Sequence, residues 1–141
     1  MKLEQISVFL ENKAGRMAEV TGTLATAGIN IRALSLADTS EFGILRLIVD
    51  KHEEARNALK SNGFTVTRTD VVAVEVKHVS GGLHAILKML ETANINVEYM
   101  YGFPYHSAEA IMVFRFDRTE HAIDVLNANG VRIFGDEDIK V

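Results

Sequence analysis

The sequence predicts an α+β fold built from two copies of one small unit, each an antiparallel sheet with helices on one face; three observations carry this reading. First, sliding the 141-residue chain against itself by about 66 positions brings two long segments into register. Ile6 to Leu36 reads ISVFLENKAGRMAEVTGTLATAGINIRALSL, and Val72 to Gly102 reads VAVEVKHVSGGLHAILKMLETANINVEYMYG. Gly15 meets Gly81 and Ile29-Asn30 meets Ile95-Asn96. One extra residue later, Asp50 meets Asp117, Leu59 meets Leu126, and Asn62-Gly63 meets Asn129-Gly130. Second, each copy alternates between strand and helix periodicity in the same order. Third, hydrophobic residues make up 48% and charged residues 24% of the chain, so a buried core is expected. Roughly 70 residues can fold alone when well packed, which allows one unit over residues 1–69 and another over 70–141.

The first unit opens with Ile6, Val8 and Leu10 alternating with Ser7, Phe9 and Glu11, the period of two that marks a strand. After Gly15, Met17, Val20, Leu24 and Ala27 recur at helical spacing and line one face, and Gly28 ends the helix. Ile29 to Leu36 and Phe42 to Val49 are rich in β-formers. The polar turn Asp38-Thr39-Ser40-Glu41 between them predicts a hairpin. A second helix from Glu53 to Ser61 buries Ala55, Ala58 and Leu59. Asn62-Gly63 stops it, and Phe64 to Thr69 forms the last strand. The second unit repeats the order, burying Leu83, Ile86, Leu87 and Leu90 on its first helix and Ala122, Ile123 and Leu126 on its second. This βαββαβ order is that of ferredoxin-like domains, whose right-handed crossovers place both helices on the same sheet face.

Phe64 to Lys77 contains neither Gly nor Pro, so no flexible linker separates the units. Joining the two second strands edge to edge within one chain would require a link across roughly six strand spacings, about 29 Å. One or two residues at about 3.5 Å each cannot reach that far. The last strand of unit one is therefore expected to run into the first strand of unit two, with second-strand edges pairing between chains in a homodimer.

Composition narrows the function. Cysteine is absent, which removes disulfides and thiolate chemistry and fits a reducing compartment. No apolar run approaches a membrane span, and Met1-Lys2-Leu3-Glu4-Gln5 lacks signal-peptide character, so the cytoplasm is expected. A net charge of −4 without a basic run disfavours nucleic acid and anionic membranes as partners.

Two loop signatures per unit resemble tandem ACT domains, ligand-binding modules attached to many enzymes of amino-acid metabolism, and the resemblance covers essentially the whole chain. In unit one they are Glu11-Asn12-Lys13-Ala14-Gly15-Arg16-Met17 and Ala27-Gly28-Ile29-Asn30-Ile31. In unit two they are Lys77-His78-Val79-Ser80-Gly81-Gly82-Leu83 and Ala93-Asn94-Ile95-Asn96-Val97. The resemblance extends to freestanding ACT pairs with no enzyme attached. It implies a non-catalytic regulator with a free amino acid as effector, bound where domains or subunits meet, and a target enzyme of amino-acid metabolism as partner; no cofactor is implied. The matching positions are Asn12, Lys13, Ala14, Gly15, Arg16, Met17, Asn30 and Ile31 in unit one, and Val79, Ser80, Gly81, Gly82, Leu83, Asn96 and Val97 in unit two.

The physical reading of the loops agrees. A glycine before a helix N-terminus lets backbone N–H groups approach a carboxylate closely. The Asn12 side chain or a backbone carbonyl near Asn30 could accept from an ammonium. Simple turn formation explains Gly15 and Gly81 equally well, and turn geometry at a helix exit explains Asn30 and Asn96 slightly better than ligand contact does. Unit two differs, with His78 in place of Asn12 and Gly82 in place of Arg16. Tyr99, Tyr101, Phe103 and Tyr105 suit either an aromatic-lined site or core packing.

Other functions fare worse. His52, His78, His84, His106 and His121 show no ligand spacing, and no phosphate loop or nucleophile motif is present. Acylphosphatase-like chemistry is suggested by Arg16 and Asn12, but that family's longer loop motif is missing. RNA-recognition modules share the element order, yet Phe42 to Val49 is mainly aliphatic. Phe114 and Phe116 lack the signature around them. A ligand-free ACT pair that docks on an enzyme or on itself is the surviving alternative.

Overall fold

The computed structural model describes residues 1–38, 41–105 and 108–139. The chain divides into two compact units, Glu4–Thr69 and Asp70–Val141, the second joined by Met1–Leu3. Unit one comprises β1 (Leu3–Glu11), α1 (Arg16–Thr26), β2 (Ile31–Asp38), β3 (Phe42–Val49), α2 (His52–Ser61) and the start of β4 (Thr65–Val76). Unit two comprises the rest of β4, then α3 (Gly82–Thr92), β5 (Val97–Phe103), β6 (Ala110–Phe116), α4 (Thr119–Ala128) and the two-residue β7 (Ile133–Phe134). The predicted passage from one unit into the next is thus a single twelve-residue strand.

Strand order is β2-β3-β1-β4 in unit one and β5-β6-β4-β7 in unit two. β3 is antiparallel to β1 and β2, and β6 to β4 and β5. Thr39 and Ser40 of the expected hairpin turn lie outside the described residues, but the strands flanking them pair from Asp38 with Gly43 onward. Both second strands shift register at the same place, between Ile31 and Ala33 and between Val97 and Tyr99, so the duplication extends to irregularities. Such a shift twists an edge strand out of plane.

In unit one, Ile6, Val8, Leu10, Leu45 and Leu47 of the sheet meet Val20, Leu24, Ala55 and Leu59 of the helices. The unit-two core has Val72, Val74 and Val76 under Ile86, Leu90, Ala122 and Leu126, with the Phe114 and Phe116 rings stacked at 5.3 Å. Each fully buried large side chain contributes about 1.5 to 3 kcal/mol. Two expected core positions differ. Ala27 is exposed because it caps α1 instead of continuing its face, and Ala58 is half-buried beside the open groove between α1 and α2. Leu83 and Leu87 are half-buried but still pack on the unit-two core.

The helices end alike. Ile29, Phe64, Ile95 and Val131 donate their backbone N–H to the carbonyls of Leu24, Leu59, Leu90 and Leu126 at 2.9 to 3.1 Å. The residue before each donor has positive φ, Gly28, Gly63 and Gly130 in three cases and Asn94 in the fourth. With their N–H committed to the helix, Ile29 and Phe64 stay outside the strands predicted for them, and β2 and β4 begin at Ile31 and Thr65. Charge pairs add local ties. The Glu4 carboxylate, 8% exposed, pairs with His52 and Arg68 within unit one. In unit two, Lys2 bonds Glu120 at 2.5 Å, holding that carboxyl below its ordinary range and tying the first residues to α4.

Two glycines respond oppositely to a methyl group. A Cβ at Gly82 would lie 2.0 Å from the Lys77 carbonyl oxygen, whereas one at Gly22, inside α1, meets nothing within 4 Å. Gly82→Ala is expected to cost about 1 to 3 kcal/mol through overpacking. Gly22→Ala should instead add about 0.5 to 1 kcal/mol by restricting the unfolded chain. Urea midpoints of the two variants must move in opposite directions; shifts of the same sign contradict the crowding at Gly82.

Candidate functional site

The loop from β1 to α1 takes its shape from Gly15, which holds φ 90° at the helix N-cap, with no side-chain cap hydrogen bond among the described residues. Asn12 N–H donates to the Glu41 carbonyl at 2.9 Å, and Arg16 N–H to the Lys13 carbonyl at 3.4 Å. The N–H groups of Met17 and Ala18 have no hydrogen-bond partner among the described residues. Asn12, Lys13, Ala14 and Gly15 are exposed; Arg16 and Met17 are half-buried. The charges around the loop balance locally. Lys13 lies 3.3 Å from Glu11, and Arg16 bonds Glu19 at 2.6 Å while its guanidinium lies over the Phe64 ring.

Unit two repeats this geometry with different chemistry. Gly81 holds φ 84°, α3 lacks a side-chain cap, and the N–H groups of Leu83 and His84 are without partners among the described residues. Val79, Ser80 and Gly81 are exposed, and Gly82 and Leu83 half-buried. The difference lies at His78, whose N–H donates at 2.6 Å to the Glu109 carboxylate, where Asn12 in unit one meets a neutral backbone carbonyl. Each loop therefore offers outward-facing donors at the positive end of a helix, the arrangement that stabilises a small anion. In unit two the Glu109 carboxylate is bonded to a backbone N–H of the loop, whereas in unit one the carboxylates of Glu11 and Glu19 pair with the side chains of Lys13 and Arg16.

The second signature sits elsewhere. Asn30 N–H donates to Asp50 Oδ1 at 3.0 Å while Asp50 N–H returns to the Asn30 carbonyl at 3.2 Å. Asn96 and Asp117 make the same two bonds at the same distances. These clasps join the start of β2 to the end of β3, and of β5 to β6. Gly15 and Asn30 lie at opposite ends of an eleven-residue helix, roughly 16 Å apart along its axis. One unit thus brings Asn12 to Met17 together, and separately Asn30 with Ile31, but does not join the two sets; Gly81 to Leu83 and Asn96 to Val97 are divided in the same way by α3. Sequence reasoning missed Asp50, Asp117, Glu41 and Glu109. The aspartates were within reach, since the repeat aligns them, whereas Glu109 lies 31 residues from His78 and carries no spacing signal.

The other candidates resolve into packing or surface. Tyr101 and Phe103 are buried, and Phe103 meets Tyr105 edge to face at 6.4 Å. Tyr105 Oη donates to the Asp138 carbonyl at 3.1 Å. His78, His84 and His121 are exposed, His52 pairs with Glu4, and His106 lies outside the described residues. Among the described residues no three His, Asp or Glu side chains converge as a metal cluster, and no helix is long and apolar enough to cross a membrane.

The model of the ACT domain pair family matches residues 1–141. A crystal structure of a Bacteroides thetaiotaomicron protein is 40% identical, with a TM-score of 0.92 over 98% of this chain and 95% of that one. The regulatory subunit of aspartate kinase from Thermus thermophilus, in ligand-free form, is 18% identical with a TM-score of 0.65, covering 90% of each chain. The corresponding Thermus flavus subunit is 20% identical with a TM-score of 0.66, covering 89% of this chain and 88% of that one. At such identities the two subunits share the fold alone. No curated protein matches. With a family model spanning every residue and a 40% identical structure over nearly the whole length, the chain belongs to the ACT domain pair family.

Proposed function

We propose that this chain is a non-catalytic, cytoplasmic regulatory protein that binds a free amino acid at its glycine loops and acts as a homodimer on an enzyme of amino-acid metabolism. One observation carries the reading: a helix that begins on a left-handed glycine, with no side-chain cap and no partner for the N–H groups of Met17 and Ala18 among the described residues. That arrangement suits the carboxylate of an amino acid. The aspartate kinase regulatory subunits with the same fold support a regulatory role. Unit one is the stronger carboxylate site, because in unit two the Glu109 carboxylate already holds His78 N–H and repels a second anion.

Asn30 lies at the far end of α1 with its carbonyl bonded to Asp50, so within the unit the loop offers the ammonium only the Asn12 side chain, and a further acceptor has to come from another module. Association supplies one. β2 ends the strand order of unit one and carries Leu34 and Leu36, 49% and 52% exposed. An exposed, apolar edge strand is a template for pairing with another chain. The same leucines, with Phe9 and Phe42 also exposed, favour the second reading, a ligand-free module that docks on an enzyme through these apolar side chains.

A thermal-shift panel of the twenty amino acids separates the two readings, since a ligand at 100 times its dissociation constant adds about 2.7 kcal/mol of stability. At least one amino acid is expected to raise the melting temperature, Gly15→Ala to remove the shift, and Gly81→Ala to keep most of it. A flat panel supports docking instead. Light scattering at micromolar concentration should give twice the chain mass, and a monomer there contradicts edge pairing.

A further inference from the structure

Unit two has a cleft of about 300 Å³ between the start of α3 and the turn from α4 into β7, lined by Gly82, Ala85, Ile86, Met89 and Val131, with Lys77 at its exposed margin. Leu83 and His84, whose N–H groups are open, are not among its lining residues, and its occupancy is independent of the amino-acid reading. The volume is at the small end of the range for ligand clefts, roughly 300 to 1,000 Å³.

Unit one shows what belongs in such a place. Its backbone is equivalent there: Glu19 N–H bonds the Gly15 carbonyl as Ala85 N–H bonds that of Gly81, both at 3.0 Å, and Phe64 N–H closes α2 as Val131 N–H closes α4. Yet in unit one the positions matching Gly82, Ala85, Met89 and Val131 are Arg16, Glu19, Thr23 and Phe64. The Phe64 ring is buried, the Arg16 guanidinium lies 5.0 Å from its centroid, and Glu19 holds that guanidinium at 2.6 Å. Two stacked planar groups and their counterion thus occupy the place. Unit two deletes the ring, the guanidinium and the carboxylate together, and replaces a threonine by methionine. The Lys77 carbonyl crowds position 82 so closely that no Cβ fits, so the arginine cannot be restored without moving backbone.

We propose that this cleft binds a small planar aromatic acid, whose ring takes the place that Phe64 and Arg16 fill in unit one. Ile86, Val131 and the Met89 thioether supply an apolar bed, and sulfur beside a ring adds to the attraction. Lys77, without an ion-pair partner among the described residues, meets the carboxylate at the margin. Arg132 and Glu75 also line the cleft; the guanidinium lies over Phe134 at 4.4 Å and 3.9 Å from the Glu75 carboxylate, so these two charges offset each other and Lys77 is left for the ligand.

The test is a titration of the full chain, labelled at methionine and isoleucine methyls, with 3-phenylpropionate and, as the ringless control, propionate. The Met89 and Ile86 methyl signals are expected to shift and saturate with the aryl acid and to stay in place with propionate. Met89→Thr, which installs the unit-one residue on the flank of α3, should weaken binding about tenfold or more. Val131→Phe, which rebuilds the ring of unit one, should abolish it. Methyl signals unmoved by millimolar 3-phenylpropionate, or unchanged affinity in Met89→Thr, overturn the proposal; if Val131→Phe fails to fold, Met89→Thr alone decides. Amino-acid binding at the glycine loops is followed separately through the amides of Ala14 and Gly15, so either idea can fail alone.

Discussion

Four backbone hydrogen bonds, each from the first apolar residue beyond a helix to a leucine carbonyl within it, hold this fold in register. Ile29, Phe64, Ile95 and Val131 belong to the helix by their N–H and to the core or its margin by their side chains. A single residue thus fixes where the helix stops, how the chain turns back and where the next strand begins. Because side chains alternate along a strand, a start displaced by one residue would turn every later apolar side chain away from the core. The bond therefore does more than satisfy an orphan carbonyl. It sets which residues of β2, β4 and β5 can reach the helices.

With the backbone fixed twice over, differences between the units fall on side chains, where they alter chemistry while leaving the frame alone. Gly15 and Gly81 differ by only 6° in φ, yet one loop rests on a neutral carbonyl and the other on a carboxylate. Opposite the loops, the Asn30–Asp50 and Asn96–Asp117 clasps are the same, distance for distance. So the part of the repeat that holds strands together is preserved, and the part that faces solvent beside α1 and α3 is free to change. The exchange of Arg16, Glu19 and Phe64 for Gly82, Ala85 and Val131 reaches further in, since Phe64 is buried, yet it too leaves the bonds of each helix start in place.

Much of the fold was legible in the sequence because its signals are local. Gly15, Gly28, Gly63 and their counterparts mark turns that backbone geometry requires, and leucines at helical spacing mark the buried faces. The unbroken strand Thr65–Val76 was legible because no breaker interrupts Phe64 to Lys77. What escaped depends on pairing across the chain. Periodicity gave Ile29 and Phe64 to strands, since a residue's side-chain character does not say where its N–H goes. Alignment of Asp50 with Asp117 was visible, but their partners Asn30 and Asn96 are 20 and 21 residues away, and nothing in the spacing joins them. The signature residues of each loop invited a single site, although the helix between them keeps Gly15 and Asn30 apart.

That separation bears on how a zwitterion could be held. The glycine loop is rich in donors, namely the amides of Met17 and Ala18 and the positive end of α1, while the Asn30 carbonyl already accepts from Asp50. A carboxylate finds partners there; an ammonium held by the same unit would have to turn to solvent or to Asn12. On the proposed reading the missing acceptor arrives with another module, so the ligand contacts more groups in the assembled state than in the separated one. Differential contact of that kind is what couples occupancy to association, and the coupling is reciprocal: whatever tightens assembly must tighten the hold on ligand by the same factor. Regulation then needs no reactive residue, only two states that the ligand distinguishes.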